Sequence, residues 1–122
     1  NRIKDGNNNE VTLTNHADVA AISAGTGLPT ASDNVETVKA GYTVSGLGTG
    51  LVGKVATKLT DDKDSNKAIS AGDTVTATLT VTADTGYQLS AKAPALALAG
   101  WTVDNANSNA SQWVYTLTIT VA

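Results

Sequence analysis

Val75, Ala77, Leu79 and Val81 alternate with Thr74, Thr76, Thr78, Thr80 and Thr82. In an extended chain successive side chains point to opposite faces, so this period puts an aliphatic set on one side and a row of hydroxyls on the other. The segment reads as a half-buried β-strand. Threonine suits the outer row because its branched Cβ keeps the chain extended while a polar group faces water.

The same alternation returns elsewhere. Residues 11–14 read as a strand, as do 55–59, where Val55, Thr57 and Leu59 alternate with Ala56 and Lys58. The last long run places Trp113, Tyr115, Leu117, Ile119 and Val121 on one face and Val114, Thr116, Thr118 and Thr120 on the other. Shorter strands are predicted at 35–38, 41–45, 87–89 and 101–103. Over 15–22 one or two helical turns compete with irregular strand, since Asn15 or Asp18 can cap a helix ahead of Val19 and Ile22. Residues 1–10 read as an extended arm or edge strand around a polar turn at Gly6, Asn7 and Asn8. Residues 23–34 and 104–109 read as loop and turn. Glycines at 46, 48, 50 and 53 weaken a strand unless a bulge or a close backbone approach requires them.

Short strands divided by turn clusters, with no helix of crossover length between them, predict an all-β domain. The expected architecture is an immunoglobulin-like antiparallel β-sandwich with Greek-key connections. The 122 residues fit one domain, 1–122. Phe and Met are absent and aromatics make up 4% of the chain, so the core must rest on many aliphatic contributions of roughly 1.5–3 kcal/mol each. Its expected pillars are Trp101, Trp113, Tyr42, Tyr87 and Tyr115.

Charged residues make up 16% and the net charge is −3, which gives no electrostatic grip on phosphate backbones, so no nucleic-acid partner is expected. No apolar run approaches the ~20 residues that a bilayer-crossing helix needs, and no charged-then-apolar leader opens the chain. The chain is therefore expected to be soluble, without membrane insertion, any export signal having been removed or never present. With no cysteine, disulfide and thiolate chemistry are both excluded.

The run from Asp73 through Thr82 to Ala83-Asp84-Thr85-Gly86-Tyr87 resembles the "GDTVTATVTLTA-DGY" segment of immunoglobulin-like repeats of bacterial cell-surface and S-layer-associated proteins. The likeness covers roughly residues 71–89, and Gln88-Leu89 stands where such repeats usually place Phe. Similar modules occur on phage virions. The resemblance implies an extracellular or cell-surface setting, with a virion as the alternative. The spacing of Asp84, Gly86 and Tyr87 is also similar to a tyrosine corner, in which the hydroxyl ties a loop to the backbone; a tyrosine that simply packs at a strand start is the other reading.

Catalytic chemistry has little to work with. His16 is the only histidine and Asp18 lies two residues on, but no nucleophile elbow, phosphate loop or metalloprotease pattern accompanies them. The chain is expected not to be an enzyme. The acidic segment is more specific. Asp62, Asp64, Asn66, Ser70 and Asp73 fall at the first, third, fifth, ninth and twelfth places of a calcium loop, with Ile69 at the eighth. Calcium is the one cofactor the sequence suggests. Lys67 stands where such loops place glycine, Asp73 replaces the longer Glu, and the flanks read as strands, so a solvated hairpin loop is the alternative. Asn109-Ala110-Ser111 fits the N-glycosylation acceptor pattern. Lysines beside Asn and Asp allow an intramolecular isopeptide bond, although no spacing selects a pair.

These observations predict a non-catalytic structural or adhesive module of an extracellular assembly, such as a surface layer, adhesin or filament subunit. Its expected partners are proteins, through self-association or neighbouring domains. A phage virion protein (capsid decoration, tail or fibre domain) is the first alternative. A carbohydrate-binding module stacking sugars on an exposed Trp101 or Trp113 is the second.

Overall fold

The computed structural model describes residues 3–4, 6–8, 10–11 and 16–122. Its strands are β1 (Ile3–Lys4), β2 (Glu10–Val11), β3 (Ala17–Val19), β4 (Leu51–Asp61), β5 (Thr74–Ala83), β6 (Tyr87–Leu89), β7 (Thr102–Val103) and β8 (Trp113–Thr120), with one helix, α1 (Val35–Ala40), among the described residues. The protein is mostly β. The predicted opening arm folds on itself, β1 pairing antiparallel with β2 so that Ile3 lies opposite Val11. Residues 12–15, part of a predicted strand and of the segment left between helix and strand, lie outside the described residues; β3 follows as strand.

The long strands build a four-stranded antiparallel sheet in the order β4-β5-β8-β7. Its registers carry the alternation of the sequence straight across the strands. On one face Gly53, Val81 and Trp113 form a row, followed by Val55, Leu79, Tyr115 and Val103, then Thr57, Ala77 and Leu117, then Leu59, Val75 and Ile119. On the other face the rows are Lys54, Thr80 and Val114; Ala56, Thr78, Thr116 and Thr102; and Lys58, Thr76 and Thr118. The first face is the core: Val75, Ala77, Leu79, Val81, Trp113, Tyr115 and Ile119 are fully buried. On the second, Lys54, Ala56, Lys58 and Thr118 are exposed.

A less regular layer covers the core face. Toward one end of the strands Val19, Ile22, Leu28, Val44, Leu47, Leu89, Ala93 and Leu96 pack on Leu79, Val81, Trp113 and Tyr115. Residues 16–28 run through the middle of this layer. They pair on one side with β6, in parallel, through Ala17 opposite Tyr87 and Val19 opposite Leu89. On the other side, Ser23 N donates to Leu47 O (2.9 Å), and Thr26 and Ser45 exchange backbone bonds. The expected strand over 41–45 is therefore reduced to the single bridge Thr26–Ser45, and the pairing of β3 with β6 departs from a purely antiparallel arrangement. Two glycines permit this closeness. A Cβ on Gly27, whose φ is +83°, would lie 2.0 Å from Thr43 O, and one on Gly53 would lie 2.4 Å from Leu47 Cδ1.

Toward the other end the cover is α1, whose Val38 (1% exposed) packs with Val75, Ala77, Leu117, Ile119 and Val121. Residues 35–38, expected as a short strand, are helix instead, although Val35, Thr37 and Val38 are β-branched and favour the extended chain. Helix wins because both ends are capped: Asn34 Oδ1 accepts from Thr37 N (2.9 Å), and Gly41, at φ +81°, donates its N–H to Val38 O. Burial of Val38 then offsets the weak propensity of β-branched residues for helix.

The aromatic pillars divide. Trp113 and Tyr115 are fully buried, the indole N–H donating to Ser90 O (2.9 Å) and the phenol to Pro94 O (2.6 Å); burial pushes the Tyr115 hydroxyl up to about 12. Trp101 is half-buried and touches both core clusters. Tyr42 and Tyr87 are half-buried at the margin. The ring of Tyr87 packs over the Gly50 backbone, as a tyrosine at a strand start does, and a hydroxyl tie to backbone is made by Tyr115.

Candidate functional site

β4 ends in a bulge between Leu59 and Asp61, and the chain returns as β5 only at Thr74. The loop between them holds every residue of the predicted calcium pattern. Carboxylate oxygens of Asp62, Asp64 and Asp73 all lie within 4.8 Å of one another. Asp73 is wholly buried and braces the loop: Oδ1 accepts from Lys63 N (2.8 Å) and Oδ2 from Ser70 N (3.0 Å). Asp62 is only partly buried; its Oδ2 accepts from Lys67 N (2.6 Å), while its Oδ1 has neither solvent contact nor a hydrogen-bond partner. Burial works to raise the Asp62 pKa, but contact with the Asp64 carboxyl and the backbone N–H groups of Lys67, Asn66 and Asp64 outweigh it and hold the group below the usual carboxylate range.

Asn66 and Ser70 sit in the same loop but turn toward each other, Asn66 Nδ2 donating to Ser70 Oγ (2.8 Å), while Asn66 Oδ1 accepts from Ala68 N (2.9 Å). The backbone turns sharply at Ser65 (φ 56°) and Lys67 (φ 60°). Lys67 thus adopts the left-handed conformation for which glycine is the easy choice, at a cost on the order of 1–2 kcal/mol. Lys63 pairs outward with Asp61 (2.6 Å) with both side chains more than half exposed, an ion pair of small value in water.

The loop is joined to the end of β8. Gly72 N donates to Val121 O (2.7 Å), and Val121 N donates to Asp73 O (2.9 Å). Across the strand, Thr120 N donates to Ala31 O (2.9 Å) and Ala122 N to Asp33 O (3.0 Å). Asp33 is itself braced. Its carboxylate accepts from Thr30 N (3.0 Å), Thr30 Oγ1 (2.6 Å) and the Tyr42 hydroxyl (2.8 Å). Burial opposes ionisation of Asp33, but the bonds from Thr30 and Tyr42 win and lower its pKa. Sequence reading missed this brace, although Thr30 and Asp33 have the Thr-x-x-Asp spacing of a capping box, in which the acidic side chain reaches back to the backbone N–H three residues earlier.

The remaining candidates are dispersed. His16 and Asp18 are exposed at and beside the start of β3. Trp113, buried and hydrogen-bonded, offers no ring to a sugar. Asn109 stands exposed in the turn before β8, its Oδ1 accepting from Ser111 N (2.7 Å) and Gln112 N (3.2 Å). Comparison with protein-family models, with curated proteins and with solved structures finds no match in any of the three.

Proposed function

We propose that this chain is a non-catalytic structural or adhesive module of an extracellular assembly, built as an immunoglobulin-like sandwich and suited to carrying load. The observation that carries this reading is the double fastening of β8. The strand lies inside the sheet between β5 and β7. Its end is then held on one flank by Ala31 and Asp33 and on the other by Gly72 and Asp73. Tension along β8 must shear bonds on both flanks at once rather than open them one at a time. The buried row Trp113, Tyr115, Leu117 and Ile119 moves only with that rupture. Protein partners, through self-association or neighbouring modules, follow from this role.

Force spectroscopy tests it, with handles at residues 16 and 122. The expected result is one cooperative rupture whose force drops in Thr120→Pro, which removes the N–H donated to Ala31 O. Extension without a force peak, or a peak that Thr120→Pro leaves unchanged, defeats the load-bearing reading.

A further inference from the structure

We propose that the free edge of β4 is a docking site for an extended acidic segment of another polypeptide, which adds to the sheet as a further strand with its carboxylates against Lys54 and Lys58. The proposal names a partner for the assembly role and rests on that reading only for its setting, not on the fastening of β8.

The backbone makes the edge available. β4 has 11 residues, stands at the margin of its sheet and pairs there with β5 alone. Gly50 O accepts from Asp84 N (2.8 Å), in the same register that sets Leu51 opposite Ala83. Hydrogen-bonded pairs alternate with non-bonded ones along an antiparallel ladder, so Val52, Lys54, Ala56 and Lys58 bond to β5. Gly53, Val55, Thr57 and Leu59 then turn their N–H and C=O groups away from the sheet. Among the described residues none bonds to these outward groups. Exposed edges in folded proteins are ordinarily short, bulged or broken by proline. The opposite margin of this sheet, β7, has only two residues. β4 carries no proline, and its one irregularity lies at its end, between Leu59 and Asp61.

The side chains of β4 are as incompletely covered as its backbone. The core-facing residues of β5 from Val75 to Val81 are fully buried, whereas Leu51, Val55 and Leu59 on β4 are only half-buried. A strand added beside them would extend the core face and cover that rim. On the outer face Lys54 and Lys58 are exposed, four residues apart on one side of the strand and opposite Thr80 and Thr76. Neither enters an ion pair with a described side chain.

Those two lysines select the occupant. If β4 paired over its full length with β4 of a second copy, the two-fold axis would pass through Ala56 and set each Lys54 directly against a Lys58. Like charges directly opposite destabilise a strand pair. A segment that alternates carboxylate with aliphatic side chains meets both requirements, carboxylates toward Lys54 and Lys58 and aliphatic groups beside Leu51, Val55 and Leu59. In strand addition the main chain supplies affinity and the alternate side chains supply specificity. Here the lysines attract one partner and repel the other.

The probe is a capped nine-residue peptide alternating valine with glutamate, with a valine–lysine peptide as its counterpart. Each is titrated into the protein and followed by NMR shifts and amide exchange. The glutamate peptide is expected to bind at least about tenfold more tightly than the lysine peptide and to slow exchange at Gly53, Val55, Thr57 and Leu59. Lys54→Glu combined with Lys58→Glu is expected to reverse the preference. Thr57→Pro removes an N–H that the sheet does not use, a position at which edge strands tolerate proline, and is expected to abolish binding with the strand signal in circular dichroism retained. The exchange pattern and the charge reversal decide the matter even where that proline unfolds the chain. No binding of the glutamate peptide, binding that leaves the four amides unprotected, or binding that survives in folded Thr57→Pro overturns the edge as the site. Equal affinity for both peptides overturns the acidic partner, as does a free chain that sediments as a dimer with the four amides already protected. A weak rupture force with intact peptide binding would instead defeat the load-bearing reading and leave the edge standing.

Discussion

The four-stranded sheet and the layer that covers it are held by different means. In β5 and β8 every second residue is an aliphatic or aromatic side chain buried against its cross-strand neighbour, from Val81 with Trp113 to Val75 with Ile119. Among the described residues the covering layer has only the short pair β3 and β6, the bridge Thr26–Ser45 and α1 as regular structure. It is fitted to the sheet by backbone closeness and single anchoring side chains, such as Gly27 beneath Thr43, Leu47 over Gly53 and Val38 at 1% exposure. The lesson is that a sheet with strict period two tolerates an irregular partner, provided the partner delivers aliphatic groups at the right places.

The sharpest way to break this contrast is Trp113→Ala. The ring is wholly buried and its N–H is satisfied by Ser90 O, so truncation is expected to cost about 3–5 kcal/mol in urea-unfolding free energy. A loss under about 1 kcal/mol would mean that the core is not centred on this row. Next comes the covering layer. Gly27→Ala sets a Cβ against the Thr43 carbonyl at a positive φ and is expected to cost about 2–3 kcal/mol. Hydrogen exchange should show that loss first at Thr26 and Ser45, with the β5 and β8 amides still protected, because the layer opens before the sheet. Uniform loss of protection would instead show both layers to be one cooperative unit. The smallest effect is expected on the outer face, where Thr78→Val keeps the branched Cβ and exchanges a hydroxyl in the row of Ala56 and Thr116. Its effect should stay within about 0.5 kcal/mol, and a larger loss would reveal hydroxyl pairing as a real support of that face.

The long strands were legible because their signal is local. Residues 74–82 and 113–121 each carry their burial pattern in consecutive letters, and the registers brought the two apolar sets onto one face as the alternation required. Residues 35–38 show how propensity misleads: β-branched side chains suggested strand, while Asn34 and Gly41, the two caps, carried the deciding information. The loop residues Asp62, Asp64 and Asp73 were also legible, since a loop pattern fixes spacing, and the structure brings their carboxylates together. The mutual turning of Asn66 and Ser70 was not legible, because it depends on side-chain rotamers within a folded loop. Nor was the brace of Asp33 by Tyr42, whose phenol arrives from beyond α1.

By itself the sequence determined the long strands β5 and β8, which of their faces is apolar, and that acidic residues crowd the loop between β4 and β5, for these follow from nearest-neighbour chemistry along the chain. Tertiary structure alone decided that β8 lies between β5 and β7, that Asp73 is sealed from water, and that the end of β8 is held from both sides. Those outcomes depend on which distant backbone groups find each other once the aliphatic faces close, and no local pattern records that choice.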